Sequence, residues 1–126
     1  MDNPRSTKVK IGGQEYRMLL SFYATREISR RFGSLQKMAD KMANTADFGE
    51  LAEHLAFLLH LLVEQGEMNH HLLNPDAPAR KIPDEESIMM LMAPGDVDDI
   101  RGGILGAITK GMRREVESEK ENDEGN

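Results

Sequence analysis

Residues 47–65 read DFGELAEHLAFLLHLLVEQ, and Gly66 follows. Phe48, Leu51, Ala52, Leu55, Leu58, Leu59 and Leu62 recur at steps of three and four, the period of one helix face. Asp47 is placed to cap the first turn, and Glu50 sits where a capping-box carboxylate reaches back. Gly66 reads as the stop, because glycine readily takes the left-handed conformation that ends many helices. Burying a large apolar side chain stabilises a fold by about 1.5–3 kcal/mol, so the rest of the chain is expected to pack around this face.

The opposite side of the same helix is mixed. At 100° per residue the main stripe falls within about 80° of Phe48 on either side. Across from it lie Glu50, Glu53, His54, His60, Glu64 and Gln65, and among them Phe57 and Leu61, four residues apart. Two readings stand. The helix is central, with neighbours on both sides, or Phe57 and Leu61 form an exposed groove or ridge that meets another chain. In the second case, replacing both by Ser leaves the fold intact and abolishes partner binding.

The chain has 126 residues, the size of one domain. Its net charge of −6 argues against a nucleic-acid binder, which would carry a basic stripe. There is no cysteine, hence neither disulfides nor thiolate chemistry. No apolar run approaches a membrane span. The start, MDNPRSTKVK, lacks the apolar core of a signal peptide. These features are those of a soluble intracellular protein with no membrane partner. Met occurs nine times, and its flexible thioether suits both cores and adaptable binding surfaces.

Residues 1–7 are expected to be disordered. Lys8–Ile11 alternates polar and apolar, Gly12-Gly13 permits positive φ at both turn positions, and Gln14–Leu20 returns as a second strand. Val9, Ile11, Tyr16 and Met18 would share one face, which must pack on a helix or a second chain because a lone hairpin is marginal in water. Gly12-Gly13 lacks the further glycines and the following helix of a nucleotide fingerprint. Ser21 caps a helix over 22–32 that Gly33 ends, and Ser34 caps a short one from Leu35 to about Met42. Residues 67–83 carry three prolines and read as an irregular strap or functional loop, with a short turn at 70–73. Asp84 caps a helix over DEESIMMLMA, with Ile88, Leu91 and Met92 inward and Met89 and Met90 leaving apolar surface elsewhere. Asp96 caps the last helix, whose stripe is Val97, Ile100, Ile104, Ile108 and Met112. Gly102, Gly103 and Gly106 each cost about 1 kcal/mol of helix propensity relative to Ala, which suggests a close neighbouring backbone. The segment EVESEKENDEGN, 115–126, reads as a disordered acidic tail. The fold class is therefore mainly α: an N-terminal β-hairpin (8–20), then a compact bundle of about five helices within one domain over 8–114.

No catalytic, cofactor or metal site assembles from these residues. His54 and His60 lie on different sectors of one helix, and His70-His71 has no carboxylate partner in register. There is no His-Glu-x-x-His, calcium loop or nucleophile motif. Asp96-Val97-Asp98-Asp99 follows Pro94-Gly95 at a helix start, where capping explains it. The physical reading is a small α-rich interaction protein and not an enzyme, with Phe57, Leu61, Met89, Met90 and Met92 as the candidate partner-binding residues.

The order of the pieces carries a resemblance. KVKIGGQEYRMLLSF leads into a helix ending RRFGSLQKM, a leucine-rich helix follows, then IPDEESIMMLM, and finally PGDVDDIRGGILGAITKGMRREVESE. From Lys8 to Glu119, most clearly in FGSLQKM and ILGAITKGMRREVE, this resembles the tail assembly chaperones of long-tailed bacteriophages and prophages, small proteins encoded just before the tape-measure protein. The resemblance implies a non-enzymatic, cofactor-free role in the host bacterial cytoplasm: coating the apolar tape-measure protein as a homo-oligomer until tail-tube subunits displace it. It also implies a longer frameshifted form that recruits the tail-tube protein, this chain being the short form. The alternative is a structural virion or prophage component, a head–tail joining or minor tail protein, that self-assembles and stays in the particle.

Overall fold

Strand β1 (Thr7–Ile11) turns through Gly12-Gly13 into β2 (Gln14–Met18), and helices α1 (Phe22–Phe32), α2 (Leu35–Asn44), α3 (Phe48–Leu73), α4 (Glu85–Leu91) and α5 (Val97–Gly111) follow. The computed structural model describes residues 2–114; the expected acidic tail, 115–126, lies outside the described residues. The expected mainly α fold with an N-terminal hairpin is the fold observed.

The hairpin is set by its turn. Gly12 and Gly13 have φ of 60° and 82°, positive at both central positions as the tight turn demands. Val9 then faces Tyr16 and Ile11 faces Gln14. Ile11, Tyr16 and Met18 are buried, and Val9 packs against the same core. Ser21 accepts a hydrogen bond from Ala24 N and Ser34 one from Lys37 N, so both predicted N-caps form. Gly33, at φ 101°, ends α1 as expected.

α3 is the axis of the fold and packs against β2, α1, α2, α4 and α5. It does not stop at Gly66. It runs on through 26 residues to Leu73, where Asn74 caps it and Pro75 follows. Gly66 serves the neighbour and not the terminus: the space its side chain would fill is taken by the backbone of Arg17 and Met18. Leu19 N donates to Leu62 O at 3.0 Å, which ties the end of the hairpin to the middle of the helix. The expected loop from 67 is therefore helical as far as Leu73.

Residues 74–84 form a strap held at several points. His60 Nδ1 donates to Pro83 O at 3.0 Å and His71 Nδ1 to Ala77 O at 2.8 Å. Arg80 stacks 4.1 Å above the Tyr16 ring and donates to Glu15 O. It also approaches the buried carboxylate of Glu67, which accepts from Arg17 N at 2.7 Å and pairs with the Arg17 guanidinium at 3.2 Å. Burial of a carboxylate is tolerated only with such partners.

Three further expectations are corrected. Residues 2–6 are not loose: Asp2 pairs with Arg17 at 2.8 Å and with His70, Asn3 bonds Asn69, and Arg5 reaches the carbonyls of Arg113 and Arg114. Asp96 does not cap α5. Its backbone is already helical, Pro94–Asp96 forms a 3₁₀ turn, and its carboxylate accepts from Ala93 N at 2.8 Å. The helix glycines Gly102 and Gly106 face open space, and Gly103 has only the Met18 methyl at 3.8 Å. The close approach on α5 is at Gly111, against Leu20.

Candidate functional site

Where α4 crosses α3, small residues leave a gap. Asp84 starts α4 by accepting from Ser87 N at 2.8 Å, a hydrogen bond that holds the Asp84 carboxyl below its ordinary value. The helix then presents Ile88 to the core and turns Met89 and Met92 toward α3. Facing them, α3 carries Ala52 and Ala56 one turn apart, and two alanines cannot fill the space that two leucines would. The result is an apolar groove of about 190 Å³, floored by Leu55 and Leu59 and closed at its far side by Pro94, Val97 and Ile100. Phe48 (51% exposed) and Met89 (44% exposed) stand at its rim.

Glu85 and Glu86 lie one turn before Met89 in α4. A second depression adjoins the groove, sharing Met92 and Ile100, and is lined by Asp96, Asp99 and Lys10 beside the hairpin turn. Arg101 is engaged elsewhere, with Asp98 at 3.2 Å and Met42 O at 3.0 Å. A groove of this volume falls below the roughly 300–1,000 Å³ of small-molecule sites. It has room for a side chain or two.

The five candidate residues separate in the structure. Met89 and Met92 line the groove together. Met90, 76% exposed, projects from the outer side of α4. Leu61 is only 5% exposed and belongs to the core, which corrects the expectation of an exposed Phe57/Leu61 stripe. Phe57 is half-buried, edge-on to Phe32 at 6.2 Å and roofed by the Arg31 guanidinium at 4.3 Å. The second stripe exists because α1 packs on that side of α3, so the reading with neighbours on both sides describes it. Phe48, assigned to the core by its period, instead stands half-exposed at the first turn of α3, where no element covers it fully. Ala52, Pro94 and Val97 carried no functional signal in the sequence; only the crossing of α4 over α3 makes them a wall.

The four histidines serve structure. His60 and His71 hold the strap, His70 lies 3.1 Å from Asp2, and His54 lies 3.3 Å from Glu50 and edge-on to Phe32 at 5.1 Å. Among the described residues no group of three or more His, Cys, Asp or Glu is placed to hold a metal ion, and no helix is long and apolar enough to cross a membrane. Comparison with protein-family models, with curated proteins and with solved structures finds no match.

Proposed function

We propose that this protein is a tail assembly chaperone that binds the tape-measure protein in the host bacterial cytoplasm and keeps it soluble until tail-tube protein polymerises around it. The observation that carries the reading is α4: a seven-residue helix that commits Ile88 to the core yet leaves Met89, Met90 and Leu91 exposed. A row of methionines on a short, acid-started helix is a surface that adapts to successive stretches of a long apolar helix. The net charge of −6 opposes precipitation of the coated complex. The resemblance in FGSLQKM and ILGAITKGMRREVE points the same way.

The test is co-expression with a tape-measure protein encoded beside this gene, comparing its soluble fraction with and without this chain. Soluble tape-measure protein that co-purifies, and loses that partner when Met89 and Met90 are both changed to Ser, supports the reading. Insoluble tape-measure protein, together with this chain recovered in finished particles, favours the self-assembling virion component instead.

A further inference from the structure

The two edges of the hairpin differ. Arg17 N donates to the Glu67 carboxylate at 2.7 Å and Glu15 O accepts from Arg80, so side chains from α3 and the strap close the outer edge of β2. In an antiparallel pair, residues opposite each other turn their backbone groups either toward each other or both away. Arg17 faces Lys8 and Glu15 faces Lys10, so Lys8 and Lys10 turn N–H and C=O away from β2, along the outer edge of β1. Among the described residues these backbone groups have no hydrogen-bond partner. Both lysines are exposed; Lys8 has a loose contact with Glu15 at 3.7 Å, and Lys10 has no ion pair among the described residues. β1 thus carries an open edge, the kind of surface to which an extended segment adds as a further strand.

The chain brings such a segment to that edge. α5 ends at Gly111 against Leu20, and Arg5 then donates to Arg113 O at 2.6 Å and to Arg114 O. Arg5 lies two residues before β1, so residues 113–114 sit beside the start of that strand. Twelve residues follow in the sequence. At about 3.3 Å per residue they can reach about 40 Å, more than twice the length of β1. The first seven, EVESEKE at 115–121, alternate strictly, with Glu at every odd position and Val, Ser and Lys between. β1 alternates in the matching sense, with Lys8 and Lys10 on its exposed face and Val9 and Ile11 on its inner one. At the far end of β1 the depression beside Gly12 and Gly13 is lined by Asp96 and Asp99, and Lys120 is the only cation of the twelve residues.

We infer that residues 115–121 add to the open edge of β1 as a third strand, parallel to it. Glu117 and Glu119 lie beside Lys8 and Lys10, Val116 and Ser118 take the inner face, and Lys120 reaches Asp96 and Asp99. Opposite charges on neighbouring strands favour this register. Ser118 is its centre, offering N–H to Lys8 O and C=O to Lys10 N. The segment acts as a plug on the edge where a strand of another chain would otherwise add. This inference does not rest on the tape-measure reading above.

Amide hydrogen exchange, followed by NMR on the full chain at two protein concentrations, tests it. The Lys8 and Lys10 amides are expected to exchange about tenfold or more slower in wild type than in Ser118→Pro, which removes the central donor. Glu117→Lys combined with Glu119→Lys should release the same two amides. The Leu19 amide, which donates to Leu62 O, is the control: equal protection of it in every sample shows that the fold is intact. Lys8 and Lys10 amides that exchange as fast in wild type as in the variants would overturn the inference. So would protection that survives either variant, or protection that grows with protein concentration, which would assign the edge to a second copy.

Discussion

Gly66 of α3 and Arg17 of β2 meet backbone to backbone: a methyl group placed on Gly66 would stand 2.5 Å from the Arg17 carbonyl carbon and 2.9 Å from Met18 N. Helix propensity alone favours Ala over Gly by about 1 kcal/mol. The contact reverses that sign, because a strand backbone pinned by Glu67 and Leu62 cannot move aside. Gly66→Ala is expected to destabilise the fold by about 3 kcal/mol, read as a lowered midpoint in urea unfolding. Gly102→Ala and Gly106→Ala, facing open space at ordinary helical φ, are expected to stabilise by about 0.5–1 kcal/mol each. A Gly66→Ala protein as stable as wild type would mean that the strand does not lie on the helix.

Leu61 and Met89 were candidates for the same role, and their surroundings now separate them. Leu61→Ser removes a buried side chain and leaves a hydroxyl in the core, at a cost of about 2–5 kcal/mol. Met89→Ser, at a half-exposed position, is expected to change stability by no more than about 0.5 kcal/mol and to weaken tape-measure binding. Unfolding curves of the two variants beside a pull-down distinguish the roles. Equal stability of both would return Leu61 to the surface.

Glu67 joins three segments through one carboxylate. Glu67→Ala leaves Arg17 N without its acceptor and the strap without the Arg80 contact, and is expected to cost about 2–3 kcal/mol. Glu67→Gln keeps an acceptor oxygen for Arg17 N and should lose less. The strap is expected to become the first site of proteolysis in the Ala variant, which limited digestion and mass spectrometry would locate. A variant with an unchanged cleavage pattern would show that the histidine bonds suffice to hold the strap.

The N-terminal anchor gives a pH dependence with a defined sign. The hydrogen bond from Arg17 lowers the Asp2 carboxyl below its ordinary value of 3.8. A carboxyl depressed in the folded state contributes stability that is present above 3.8 and lost as pH falls through the folded value. The group is exposed, so solvent screening keeps the contribution well under about 1 kcal/mol. Asp2→Asn should therefore lower the thermal midpoint slightly at neutral pH and converge with wild type in acid below the carboxyl range. A difference that widened on acidification would contradict the Asp2–Arg17 pairing.

Local chemistry made most of the elements legible. Gly12-Gly13 specified the turn, Ser21, Ser34, Asp47 and Asp84 specified where helices begin, and Gly33 specified where one ends, because each rule acts within four residues of its own position. Helical period likewise placed Leu55, Leu58, Leu59, Leu62, Ile88, Ile100 and Ile104 in the core. Of the site, it marked Met89 and Met92. The remainder was decided by which segments meet. A glycine that ends a helix and a glycine that admits a crossing strand look the same in sequence, so Gly66 reads as a stop until β2 is seen to cross it. An apolar pair on a polar face is exposed or buried according to whether another helix lies on it, and α1 lies on Phe57 and Leu61. Two alanines become a groove only when a second helix bridges them, which is why Ala52 and Ala56 acquired meaning only with α4 in place. Period and caps are properties of one segment; burial and space belong to pairs of segments, and only the tertiary structure decides the pairs.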